Sequence, residues 1–214
     1  MAMRKDKNYW LIREQDKLLT VATGQAEKEL AQQYLRCLNR TKRDLIDLYN
    51  EIQIASADGT LLISDLYRYN RYYDLMNNLN RELNKLGFAE KDIYEAYMTE
   101  LYTANSSLLS SSLGFSPIVN THRVTDALNS VWCQDGKHWS DRVWANKALL
   151  QERIKNGVIN SIATGSGKDE LVKQLMKDFN VGYNNADRIA RTELSYVRNQ
   201  STLDSYKEAG VEYY

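Results

Sequence analysis

Proline is almost missing from this chain: Pro117 is the one proline in 214 residues, and ten residues are glycine. A proline inside a helix removes an N–H and clashes with the preceding turn, so its scarcity leaves long helices uninterrupted. Cysteine is equally scarce. Cys37 and Cys133 lack zinc or redox spacing, and Cys37, beside a helical stripe, reads as a buried, reduced thiol. The two histidines, His122 and His138, lie in different segments with no carboxylate or cysteine at ligand spacing, so neither metal nor cofactor is expected. A Cys133–His122 nucleophilic dyad remains open as the alternative to surface or interface histidines. An excess of one charge is also lacking, with 28 Lys+Arg against 28 Asp+Glu. A dedicated DNA-binding domain is visibly basic, so at most weak contact with nucleic acid is expected. No stretch approaches the roughly 20 apolar residues needed to cross a bilayer. Met1–Lys7 is charged but no apolar run follows it, which predicts a cytoplasmic protein with no signal peptide and no membrane partner.

Tyrosine, by contrast, is abundant, with fifteen in the chain, and supplies large amphipathic contact surfaces suited to interfaces or to an ordinary helical core. The apolar periodicity predicts helices over residues 8–22 and 25–54, separated or kinked at Gly24. In the second, Ala31, Tyr34, Leu38, Leu45, Leu48, Tyr49 and Ile52 form a near-heptad stripe interrupted at Thr41, which fits a packed hairpin partner or an intermolecular coiled coil. A turn at Ala57–Thr60 and a short strand or lead-in at Leu61–Ile63 precede a helix over 65–86 that Gly87 stops. Another helix over 89–113 fades through Ser110–Ser112 to Gly114. This defines a long-helix region over 1–115. Beyond it, in a region over 120–214, come a short helix at 121–131 and a helix over 141–156 capped by Ser140. A capping box of Ser166 and Asp169 opens a helix over 167–179, with a hinge at Asn180–Tyr183. The run Thr164-Gly165-Ser166-Gly167-Lys168-Asp169 has the look of a phosphate loop. It lacks the earlier glycine, where Ile162 stands, and the hydroxyl after the lysine, where Asp169 stands, so a helix cap is the better reading. The expected fold is mainly α: elongated, with long antiparallel helices and a small C-terminal helical unit opening into a strand.

The organising stretch is Asn184–Tyr214. Asn184 reads as an N-cap. Ala186, Ile189, Ala190, Tyr196, Val197 and Leu203 line an apolar face, and Gly210 ends the helix before a β-prone Val211–Tyr214. The order Arg191-Thr192-Glu193, Asn199, Gly210 resembles the signature of the phage head-morphogenesis family, the Mu F-like minor head proteins of tailed bacteriophages. The likeness extends back to Trp139–Trp144 and more loosely to Tyr9-Trp10, and it departs from the family pattern at Val197 and Ser201. It implies a structural minor head protein inside the capsid at the portal vertex, present in the host cytoplasm during assembly. Such a protein would assist head assembly, DNA packaging or delivery. The implied partners are the portal protein, the major capsid protein, further copies of the chain and, weakly, packaged DNA. The alternative is the N-terminal part of a phage-encoded enzyme fusion of ADP-ribosyltransferase or peptidase type.

Glu193 is the titratable group of most interest. A carboxylate on an apolar helix face must find a donor, since burying it unpaired costs several kcal/mol. The expected donor is an arginine, Arg142 first, or backbone N–H groups, so that the residue locks the motif helix in place. The functional alternative is a catalytic glutamate of the kind that serves some ADP-ribosyl-transferring enzymes, which requires a nicotinamide cleft. Trp10, Trp139 and Trp144, with Trp132 and Arg142, suit anchors at a protein contact. Trp139 and Trp144 need not share a helix face, so at least one of them is expected in the core.

Overall fold

The computed structural model describes residues 7–55, 70–115 and 120–211. The protein is mainly α. Among the described residues there are five helices and no strand: α1 (Lys7–Ala55), α2 (Arg71–Leu113), α3 (Thr121–Asn129), α4 (Trp139–Ala163) and α5 (Lys168–Glu208). The expected turn and short strand at 57–63, the start of the helix expected over 65–86, Pro117 and the last three residues of the terminal strand lie outside the described residues. No helix among those described is long and apolar enough to cross a membrane.

Seven of the glycines fall into two groups, and the difference explains why fewer, longer helices form than the periodicity suggests. Gly114, Gly165 and Gly210 have φ of 84°, 67° and 70°, and each ends a helix with the same bond pattern. The residue after the glycine donates its N–H back over a full turn: Phe115 to the Ser110 carbonyl at 2.9 Å, Ser166 to Ser161 at 2.8 Å and Val211 to Tyr206 at 3.0 Å. Left-handed glycine satisfies the last carbonyls in this way. Gly24, Gly87, Gly157 and Gly182 instead stand inside helices. Gly24 therefore does not separate two helices, Gly87 does not stop one, and the hinge at Asn180–Tyr183 and the Asn184 cap are absorbed into α5. At two of these positions the missing side chain makes room for a neighbour. A Cβ at Gly87 would lie 2.5 Å from the Trp144 ring, and one at Gly182 would lie 3.2 Å from Leu150 and 3.4 Å from Tyr34.

Two further starts differ from expectation. Ser140 does not cap α4. His138 takes that place: its Nδ1 accepts the Ser140 N–H at 3.2 Å, and its own N–H donates to Asp141 Oδ2 at 3.1 Å. A backbone N–H can only donate and a carbonyl can only accept, so the Nε2–H donates to the Leu128 carbonyl at 2.9 Å. Ser166 does not cap α5 either. Its hydroxyl meets Thr164 Oγ1 at 2.8 Å, and the Gly167 carbonyl accepts the first N–H groups of the helix.

The chain forms two compact units. Unit 1 comprises Met1–Glu29, Lys91–Asp141 and Asp187–Tyr214; unit 2 comprises Leu30–Glu90 and Arg142–Ala186. The sequence regions 1–115 and 120–214 each contribute to both, and α1, α2 and α5 each supply one half to either unit.

In unit 2, α1 and α2 run antiparallel, as the pairs Tyr34–Glu90, Arg40–Glu82 and Glu51–Arg71 require. The core stripe of α1 (Tyr34, Cys37, Leu45, Leu48, Tyr49) meets Leu75, Leu79, Leu83 and Leu86 of α2 and the apolar faces of α4 and α5. Of the near-heptad stripe, Tyr34, Leu45, Leu48 and Tyr49 are buried and Leu38 packs against them, in keeping with the hairpin reading, while Ala31 faces solvent. Full burial of each leucine stabilises the unit by about 1.5–3 kcal/mol. In unit 1, α1 runs antiparallel to α5 through Asp16–Arg198 and Glu27–Arg191. Its centre is partly polar. Asn105, fully buried, donates to Ser201 Oγ at 2.6 Å and Thr202 Oγ1 at 3.0 Å while its oxygen accepts from Gln15 at 3.0 Å. Each buried donor and acceptor in this seam is matched, which fixes one register of the three helices.

Candidate functional site on the motif helix

The motif occupies the unit 1 half of α5, where side chains at 189, 190, 193, 194 and 197 are all buried. Glu193 lies among them, 2% exposed. The indole Nε1–H of Trp132 donates to its Oε2 at 2.9 Å. Trp132 also stacks flat on Tyr196, one turn along, with ring centroids 4.5 Å apart and planes 2° from parallel. The segment between α3 and α4 is thus clamped to the motif helix twice, by a charge-assisted bond and by a stacked aromatic pair. The sequence reading named Arg142 or backbone N–H groups as the donors to Glu193 and placed Trp132 only among possible interface anchors; the bond to Oε2 comes from the Trp132 indole.

The other motif residues divide between surface and helix end. Arg191 bridges Asp187 and Glu27, both at 2.8 Å, and so ties α5 to α1 in unit 1. Thr192 is exposed and its hydroxyl returns to the Arg188 carbonyl at 2.8 Å. Asn199 is exposed and accepts from Arg198 at 3.2 Å. Gly210 supplies the left-handed stop described above. Arg191, Glu193 and Gly210 therefore have structural partners, while Thr192 and Asn199 point outward.

Of the three tryptophan anchors, Trp10 is on the surface, 52% exposed, packed edge-on against Tyr9 at 5.4 Å with Arg13 over both rings. Trp139 belongs to the core of unit 1. It is 3% exposed, its indole N–H donates to the Leu128 carbonyl at 2.8 Å, and Tyr94 meets it edge-on. Trp144, half-buried in unit 2, covers Gly87 and meets Phe88 at 5.1 Å.

Unit 2 holds a second buried polar cluster that the sequence reading missed. Lys147 is 4% exposed and ion-paired to Glu90, which is 0% exposed. Both touch the Tyr34 hydroxyl, which donates to Glu90 at 3.1 Å and accepts from Lys147 at 2.5 Å. Asn146 adds a bond to the same hydroxyl at 3.1 Å and reaches the Gly182 carbonyl at 2.8 Å. Burial lowers the affinity of Lys147 for its proton, opposed by Glu90, and burial followed by Glu90 raises the Tyr34 hydroxyl well above its usual range. Groups of this chemistry serve as acids and bases in enzymes. Here they are enclosed, and they bind α1, α2, α4 and α5 of unit 2 into one register. Nearby, burial pushes the Cys37 thiol up to about 12.

No protein-family model and no solved structure matches the chain. Among curated proteins it is similar to NAD(+)--arginine ADP-ribosyltransferase EFV of Enterococcus faecalis (strain ATCC 700802 / V583), with 22% identity over 182 residues. The match covers 80% of this chain and 36% of that protein, so the chain spans little more than a third of the relative's length.

Proposed function

We propose that the chain is a helical structural module of the Mu F-like head-morphogenesis type. It would be built into a tailed-phage head at the portal vertex and contribute to head assembly, DNA packaging or delivery. The observation that carries this reading is how the motif is used. Glu193 is committed to an internal bond from Trp132, and Arg191 joins two helices. A motif spent on holding helices together suits a scaffolding part. The exposed Tyr9–Trp10–Arg13 cluster is a surface of the kind that anchors protein contacts. The test is co-expression with portal subunits followed by native mass spectrometry of the purified complex. A defined copy number of the chain on the portal ring is the expected result, and a chain that elutes free of portal and capsid subunits overturns the reading.

The similarity to an arginine ADP-ribosyltransferase favours a second reading, in which the chain serves as the helical part of an enzyme fusion. Incubating the whole gene product with labelled NAD+ and an arginine analogue separates the two. Transfer of label that persists in Glu193→Gln would place the chemistry outside the motif, and transfer abolished by that substitution alone would make Glu193 catalytic.

A further inference from the structure

Two shallow hollows in unit 1 join into one groove along α2, the first of about 690 Å³ and the second, between α2 and α3, of about 490 Å³. Glu95, Thr99 and Thr103 line both. The floor is small or apolar: Ala96, Thr99 and Thr103 on α2, Val124 and Leu128 on α3, and the edge of Trp139. The stretch 92–104 covers about 18 Å of helix axis, long enough for a second helix to lie alongside for three turns. The charges are all of one sign. Asp92, Glu95 and Glu100 line the groove and no lysine or arginine does. Among the described residues none of the three carboxylates is in an ion pair, whereas Arg123, Arg191 and Arg198 elsewhere in unit 1 all are. Lys91 stands at one end, its ammonium 6.0 Å from the Trp139 ring centre.

We propose that this groove docks a basic amphipathic helix of a partner protein. The small apolar face of that helix would lie on Ala96, Thr99 and Thr103, and its lysines or arginines would meet Asp92, Glu95 and Glu100. Small side chains on the floor let two helix axes approach closely, and carboxylates without cationic partners select a positive ligand and speed its arrival. This inference is independent of the head-protein reading.

The probe is a fluorescein-labelled model helix of about 18 residues with an alanine–leucine face and lysine flanks, beside a twin with glutamate flanks. In low salt the lysine helix is expected to bind about tenfold more tightly than its twin, with the gap closing as salt rises to about 0.5 M. Thr99→Arg, at an exposed helical position, should abolish binding of both peptides. The pair Glu95→Gln and Glu100→Gln should weaken only the lysine helix, by about tenfold. Far-ultraviolet circular dichroism should show both variants folded. Equal binding of the twins, no binding of either, or binding that survives Thr99→Arg would overturn the proposal. So would a dimer of the chain that Thr99→Arg dissociates, since the groove would then belong to a second copy.

Discussion

Replacing two glycines by alanine should move stability in opposite directions, although both stand in helix interiors. Alanine is more favourable than glycine within a helix by about 0.8–1.0 kcal/mol. At Gly24 a new Cβ meets nothing within 4 Å, so Gly24→Ala should stabilise by about that amount. At Gly87 the new Cβ would fall 2.5 and 2.9 Å from two carbons of the Trp144 ring, about 1 Å inside normal contact. The ring is rigid and is held edge-on by Phe88, so either it swings away or α2 and α4 part. Overpacking of this kind costs about 1–3 kcal/mol. After the helical gain, Gly87→Ala should be destabilising by up to about 2 kcal/mol. For a chain of this size each kcal/mol moves the melting temperature by about 2–4 °C. The assay is urea and thermal unfolding followed at 222 nm, repeated in a Trp144→Leu background. There the obstruction is gone, and Gly87→Ala should become stabilising, so the sign reverses. A Gly87→Ala protein that gains stability as Gly24→Ala does while Trp144 is present, or an effect that Trp144→Leu leaves unchanged, would refute the clash with the ring.

Other expectations follow from the buried polar groups. Glu193→Ala removes the acceptor of the Trp132 indole and should cost about 2–3 kcal/mol, while Glu193→Gln, which retains an acceptor, should cost about 1; equal and negligible losses in urea melts would remove the clamp from the account. Glu90→Leu strands the Lys147 charge and should destabilise by about 3–5 kcal/mol, whereas the double replacement Glu90→Leu with Lys147→Met should recover most of it, and a double-mutant cycle reads the coupling. The Cys37 thiol, raised from 9.0 to about 12, stays protonated in the fold where the unfolded chain would ionise. Its stabilising contribution is therefore full below pH 9 and is lost as pH rises towards 12, by at most about 1.4 kcal/mol per unit. Urea midpoints across that range should fall less steeply in Cys37→Ala, and a thiol reagent at neutral pH should modify half-buried Cys133 well before Cys37.

The helices were legible in sequence because their apolar periodicity is strong, and Gly210 as a stop was legible because its flanks change character there. Gly87 and Gly182 were opaque. A glycine that ends a helix and one that admits a tryptophan or tyrosine look alike until the neighbour across the interface is known. Glu193 stood out as a carboxylate on an apolar face. The same test applied to Lys147, which shares a stripe with Val143, Leu150 and Ile154, points to the second cluster. Glu90, beside Leu86 and Ile93, completes it. The partners themselves, Trp132 for Glu193 and Tyr34 for Glu90 and Lys147, were not readable, since a side chain's long-range donor leaves no periodic trace.

The interleaving of the two units bears on how the protein is made. Unit 2 cannot close until residue 186 has left the ribosome, and unit 1 must wait for the final turn of α5, although both begin in α1. Until then the leucine-rich sides of α1 and α2 have each other but lack α4 and α5, a situation that favours holding by a chaperone or pairing with neighbouring nascent chains. A truncation after residue 115 would freeze the molecule at that stage, and its product should be recovered from the insoluble fraction.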